Sequence, residues 1–189
     1  MRKLVYYVAI TVDGFIARTD GSFDCFVFEG EHFADLIQQF PETFPGHLRT
    51  VFGITQPPRR FDTVLMGRAT YEAGLREGIT NPYGHLRQYV VSLTMETSPD
   101  PAVELHRSDP LELVRRLKQQ DGLDLWLCGG GKLAAAIAPE IDELILKINP
   151  VVIGNGIPLF ATGVTPRKLA LRKHRTYSNG FVLANYEAM

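Results

Sequence analysis

The chain has 189 residues, is 45% hydrophobic and carries a formal net charge of −1. That length and apolar fraction suffice for one sizeable core and argue for a single domain over 1–189. The near-neutral charge gives no basic field for nucleic acid, and no apolar run reaches the length of a membrane span. Cys25 and Cys128 are too few and too far apart for a disulfide framework or a zinc motif. The five histidines show no metal-ligand spacing, so no metal is expected.

The basic start at Arg2 and Lys3 runs into strand-like residues, with an early Asp13 and no small-residue cleavage site. It reads as a first strand rather than a signal peptide, with the cytoplasm as default location. Leu4 to Ile10 is apolar, β-branched and aromatic, suited to a buried strand. Asp13-Gly14 and Asp20-Gly21 are turn signals, and the stretch between them reads as a loop leaving a core strand. Phe33, Leu36, Ile37 and Phe40 have helical spacing within Glu31 to Phe40, and Pro41 stops that helix.

Pro45 to Arg60, with three prolines and two glycines, reads as an irregular excursion. Thr63 to Met66 is a short strand; Gly67-Arg68 follows, and "ATYEAG" starts a helix. Gln88 to Ser92 is a strand, and Val103 to Leu105 a brief one. Asp109-Pro110 is a cap with proline at the first helical position, and Leu111, Val114 and Leu117 form one face of the helix behind it. Leu123 to Leu127 is a strand that runs into Gly129, Gly130 and Gly131, then an Ala-rich helix ending near Pro139. Leu144 to Ile148 is a strand before the tight Gly154-Asn155-Gly156 loop. Lys168 to His174 and Phe181 to Tyr186 flank a hairpin turn at Ser178-Asn179-Gly180. Strands alternating with helices predict an α/β sheet, parallel in its first part, with antiparallel strands from the last hairpin. Ligands of such sheets bind at the carboxyl ends of the strands.

The Gly129–Gly131 turn is the strongest chemical signal. It is either a sharp turn needing positive φ or a place where bare backbone and helix N–H groups seat an anion; three glycines in a row favour the second. The spacing matches neither the dinucleotide fingerprint nor a Walker loop, since Lys132 is followed by Leu133. In "LMGRATYE", Arg68 offers a fork of donors and Thr70 a hydroxyl in the first turn of a helix; the plainer reading is a surface arginine and a capping threonine. Two glycine turns on one sheet edge suit a dinucleotide such as NADPH. Asp13 reads first as closing its own turn. Asp35 lies off the apolar stripe of its helix, either as a solvated residue or as a carboxylate at a pocket wall that orients a heterocycle. Cys25, Cys128 and Trp126 read as packing residues.

"VAITVDGFIA", "VLMGRATYE", "CGGGKLAAAIAPEIDELILKINPVVIGNGIPLF" and the final strands resemble, in order and over nearly the whole chain, the dihydrofolate reductase superfamily. Within it they look most like the branch containing the reductase domain of riboflavin biosynthesis. The resemblance implies a three-layer fold: a central mixed, mostly parallel sheet with a C-terminal antiparallel hairpin and helices on both faces. It implies NADPH as cofactor, with Ala9 and Ile16 bordering the nicotinamide. Gly67, Arg68 and Thr70 would hold phosphates, Ser92 would lie near the adenosine 2′-phosphate, and Gly130, Gly131, Lys132 and Leu133 would hold the pyrophosphate side. Asp35 would be the acidic residue that grips the heterocycle and assists protonation. The expected activity is NADPH-dependent reduction of a small heterocycle, as in reduction of 5-amino-6-(5-phosphoribosylamino)uracil, and a homodimer is the analogous assembly. Departures are Cys128 where the family commonly has an acid, Tyr7 where it tends to have a lysine, and the unmatched Pro45–Arg60 excursion. A non-catalytic NADP(H)-binding sensor on the same fold is the alternative reading.

Overall fold

The computed structural model describes residues 1–189. Its strands are β1 (Leu4–Thr11), β2 (Phe15–Ala17), β3 (Phe61–Gly67), β4 (Arg87–Val91), β5 (Val103–His106), β6 (Asp124–Gly129), β7 (Glu143–Asn149), β8 (Ile157–Pro158), β9 (Leu169–Thr176) and β10 (Val182–Ala188). The helices are α1 (Glu31–Gln39), α2 (Gly46–Val51), α3 (Arg68–Arg76), α4 (Pro110–Lys118) and α5 (Gly131–Ala136), with short 3-10 turns at Pro41–Thr43 and Ala138–Glu140.

Eight strands form one sheet in the order β5-β4-β3-β6-β1-β7-β10-β9. The first six run parallel, and β10 and β9 add antiparallel to β7. β1 is central and covered on both faces, which is why seven of its eight residues are buried and its sequence is a continuous apolar run. Alternate residues divide the core. Val5, Tyr7, Val64, Met66, Trp126 and Ile145 pack under Leu36 and Phe40 of the α1 region and Tyr71 of α3. Leu4, Tyr6, Leu65, Leu125, Leu127, Leu144 and Leu146 pack under Leu113, Val114 and Leu117 of α4 and Leu133 and Ala134 of α5. Burying a side chain the size of Leu36 or Phe40 contributes roughly 1.5–3 kcal/mol, so α1 is held by its apolar stripe and not by its ends. Its N-cap, Gly30, makes no side-chain capping bond. In contrast, Asp109 caps α4 by accepting from the Leu111 N–H at 2.9 Å, with Pro110 behind it.

Two loop expectations are corrected. Within Pro45–Arg60, Gly46–Val51 is a helix. Its Arg49 ties it down, donating to the Pro41 carbonyl (2.5 Å) and the Gln56 carbonyl (2.7 Å), and the end of the excursion is held separately. Glu42, fully buried, accepts backbone N–H bonds from Arg59 (3.2 Å), Arg60 (2.8 Å) and Phe61 (2.8 Å). Between the two Asp-Gly turns, Phe15–Ala17 is a strand paired with Ile157–Pro158. These pieces are too short to read locally, and they exist because the loops after β1 and β7 meet.

Candidate functional site

All parallel strands end on the same edge, and the glycine turns meet there. Met66 pairs in register with Gly129, so the starts of α3 and α5 are side by side. A Cβ built on Gly67 would lie 3.8 Å from both the Gly129 carbonyl oxygen and the Gly130 amide nitrogen, and 3.7 Å from the Leu133 Cβ. The Gly129-Gly130 peptide is cis. Each helix start leaves its first N–H groups without intrahelical acceptors, at the positive end of the helix dipole.

The glycines differ in why they are glycine. Gly129 has φ 154. A Cβ on Gly131 would collide with the Pro158 carbonyl oxygen, and one on Gly156 with the Ala17 carbonyl oxygen. Gly67 (φ −75) and Gly130 (φ −103) have neither reason. The nearest atoms to a Cβ on Gly130 are Thr70 Oγ1 at 3.7 Å and Ile16 Cδ1 at 4.0 Å, ordinary contacts. Beyond their chain neighbours, nothing would crowd a Cβ at either position, so the backbone there is open to close approach from outside.

Around this pair the expected residues gather unequally. Thr70 Oγ1 and Ile16 border Gly130. The exposed Arg68 donates from Nε to Glu72 (2.6 Å) and from Nη1 to Thr94 (2.7 Å), which holds its guanidinium at the rim. Ser92 is buried, and its hydroxyl accepts from the Thr94 and Met95 N–H groups at 3.2 and 3.0 Å, shaping the loop that meets Arg68. Lys132 is exposed, whereas the Leu133 side chain is buried and leaves only its backbone for a ligand. Ala9, partly exposed, is on β1 beside Lys147 of β7.

Asp13 does not close its own turn. Thr11 does, through its carbonyl to the Gly14 N–H (3.0 Å) and its hydroxyl to the Phe15 N–H (3.0 Å). The Asp13 carboxylate reaches the loop after β7 and accepts from the N–H groups of Ile153 (3.1 Å) and Gly154 (2.7 Å). The Thr11 hydroxyl and these amides lower its pKa. The Gly154-Asn155-Gly156 loop is thereby fastened to the loop after β1, and the Ala161 N–H donates to the Gly131 carbonyl at 2.9 Å.

Asp35 lies on α1 with its carboxylate largely covered. It accepts from the Tyr177 hydroxyl, from Arg175 Nη1 at 2.9 Å and from Gln39 Nε2 at 2.8 Å. Burial, then the bond to Asp35, pushes the Tyr177 phenol up to about 12. Tyr177 and Arg175 belong to the C-terminal hairpin and were not anticipated from sequence, because nothing local marks a partner 142 residues away. Lys147 was also missed; its only signal is one charge inside the apolar run of β7. Cys128 is a free thiol, pushed by burial up to about 11, so it stays protonated at neutral pH. Trp126 is core, donating from Nε1 to the Tyr7 carbonyl at 3.0 Å. No three metal-ligating side chains come together, and no helix is long and apolar enough to cross a membrane.

Two surface depressions, of about 520 and 440 Å³, lie away from the rim. In the first, the Arg167 guanidinium is already held by the Ala138 and Ile141 carbonyls. In the second, Lys3 and Arg60 are paired with Glu143 and Asp124. Their charges have internal partners, whereas the bare glycines at the rim do not.

Comparison with known proteins agrees with this architecture. The family model for the RibD C-terminal domain matches residues 2–183. An uncharacterized Bacillus subtilis protein, YwjB, is 33% identical over 185 residues, 96% of each chain. A second from that organism, YyaP, is 27% identical over 98% of this chain and 94% of its own. A putative riboflavin biosynthesis protein from Shewanella superposes with a TM-score of 0.73 at 21% identity, covering 100% of this chain and 99% of that one. A pyrimidine reductase-like protein from Corynebacterium diphtheriae superposes at 0.62 with 16% identity, covering 100% and 92%. The fold is reductase-like, and the chain belongs to the RibD C-terminal domain family.

Proposed function

We propose that the chain is an NADPH-dependent reductase of a small planar nitrogen heterocycle or a related carbonyl or imine. The observation that carries this reading is the pair Gly67 and Gly130: adjacent, uncrowded by the rest of the chain, and each at the start of a helix. Two anion seats side by side fit a dinucleotide better than a single phosphate. Gly67, Arg68 and Thr70 would hold phosphate on one side, with Ser92 shaping the loop for the adenosine end. Gly130, Gly131, Lys132 and the Leu133 backbone would hold the pyrophosphate side. Ala9 and Ile16 would border the nicotinamide, which supplies a hydride when bound. The chain's own contribution is orientation at the strand ends. Asp35, buttressed by Tyr177 and Arg175, provides the polar wall of the substrate side and a route for a proton.

Two assays test this. NADPH should raise the melting temperature, because a ligand that binds only the folded state stabilises it. NADPH oxidation should then be found with a member of a panel of pterins and ribosylaminopyrimidines. The engagement of Asp35 by three internal donors favours a second reading, an NADP(H)-binding module without turnover. Cofactor binding with no oxidation across the panel, and no functional loss in Asp35→Asn, selects that reading.

A further inference from the structure

β7 places two charged side chains on the sheet face that carries Ile145: Glu143, paired with Lys3 and Arg60, and Lys147. Lys147 is in register with Ala9 of β1 and Leu183 of β10. Its ammonium stands 4.2 Å from the centroid of the Tyr7 ring. No carboxylate pairs with it, and the only ionisable group that bears on it is Cys128. Its neighbours along the strand, Leu146 and Ile148, pack with the opposite face.

An ammonium partly shielded from water and without a counter-charge is less favourable than one in open solvent, and the Tyr7 ring face offsets only part of that cost. A methionine would fill the same space with no such penalty. Retaining the charge makes physical sense if its partner comes from outside. Access exists, because Lys147 is only partly buried and Ala9, level with it on β1, presents a single methyl and is itself partly exposed.

We propose that Lys147 selects the substrate, its ammonium binding an acceptor oxygen (carbonyl, enolate or carboxylate) of a planar ring lying over Ala9. The inference rests on the reductase reading for the place of the ring and adds which edge that ring presents. Asp35, the other polar group of this region, takes its three internal donors on Oδ2 alone, so its role in holding the ring is separate from that of Lys147. Burial pushes the Lys147 pKa down to about 8. The ionisable groups around it stay protonated at neutral pH: Cys128 of β6, Tyr7 of β1, and Tyr83, whose hydroxyl is 3.9 Å from Cys128 Sγ. Lys147 is therefore the group that changes charge in this pocket between pH 7 and 9.

The test uses two rings of one shape and opposite edges, barbiturate with oxygen acceptors and 2,4,6-triaminopyrimidine with donors. Each is titrated calorimetrically into the free protein and the NADPH-saturated protein. Barbiturate should bind to wild type, weaken at least tenfold in Lys147→Met, and weaken as pH rises through 8. In Lys147→Arg, whose charge does not titrate there, binding should persist and the pH dependence should vanish, which a purely structural role would not produce. Reductive ¹³C-methylation should show one lysine resonance titrating near pH 8, absent from Lys147→Met. Equal barbiturate binding by wild type and Lys147→Met, tighter binding of triaminopyrimidine, no barbiturate binding, or no such resonance each overturns the inference. Failure of NADPH to bind, with barbiturate still dependent on Lys147, would remove the reductase reading and leave this site standing.

Discussion

Gly67 and Gly130 face each other across the β3–β6 seam, with a Cβ position on Gly67 3.8 Å from the Gly130 amide nitrogen. Neither has positive φ, and neither is crowded by the protein. Gly131, the next residue, is glycine for an ordinary reason: a methyl there would strike the Pro158 carbonyl.

This contrast separates stability from binding. Gly130→Ala should change the unfolding free energy by no more than about 1 kcal/mol, while cofactor affinity falls at least tenfold, about 1.4 kcal/mol. Gly131→Ala should cost about 1–3 kcal/mol through overpacking against a loop tied by the Ala161 to Gly131 bond. Chemical denaturation with and without NADPH distinguishes the two effects.

Glu42 should prove a stability residue with no part in chemistry. Its carboxylate satisfies three backbone N–H groups and is fully buried. Glu42→Ala would strand those donors, each costing about 1–3 kcal/mol if left unpaired, so a loss of at least about 3 kcal/mol is expected. Denaturation midpoints check this, and a loss under about 1 kcal/mol would show that water replaces the carboxylate without penalty.

Asp13 should govern the mobility of the loop after β7. In Asp13→Ala, the Ile153 and Gly154 amides should exchange with deuterium faster than in wild type. The carboxylate's pKa is lowered in the fold, so its contribution is present above the ordinary aspartate range and fades as pH falls through the depressed folded value. Protection of these two amides should follow that course in wild type and be insensitive to it in the variant.

Much of the fold was legible because its signals are local. β1, β3, β6 and β7 are buried on both faces and read as continuous apolar runs, and α4 is announced by Asp109-Pro110. The two glycine turns were visible as sequence, and their adjacency followed from placing both after parallel strands. What stayed hidden depends on partners distant in the chain. Phe15–Ala17 becomes a strand only because Ile157–Pro158 comes to it. Asp13 looks like a self-closing turn until the Gly154 amide is brought against it. Lys147 is one charge inside an apolar run, and the ring beneath it belongs to another strand. Gly46–Val51 was obscured by flanking prolines, and its Arg49 is held by carbonyls of Pro41 and Gln56 outside the helix.

Lys147 gives a pH signature in stability. Its folded pKa of about 8 lies below the ordinary lysine value of 10.5. Between those values the unfolded chain holds the proton more tightly, so wild-type stability gains a rising contribution with pH there. Lys147→Met should be more stable than wild type at pH 7, by at most about 3 kcal/mol, and the difference should close between about pH 8 and 10. The buried tyrosines titrate higher still and are common to both proteins. Equal stability at pH 7 would mean the ammonium is fully solvated.

The most direct measurement is NADPH affinity by calorimetry for wild type, Gly67→Ala and Gly130→Ala, with melting temperatures taken on the same unliganded samples. The account predicts saturable binding to wild type, affinity at least tenfold weaker in each variant (about 1.4 kcal/mol), and melting temperatures nearly unchanged. Absence of binding at roughly millimolar cofactor, or equal affinity in all three proteins, would contradict it.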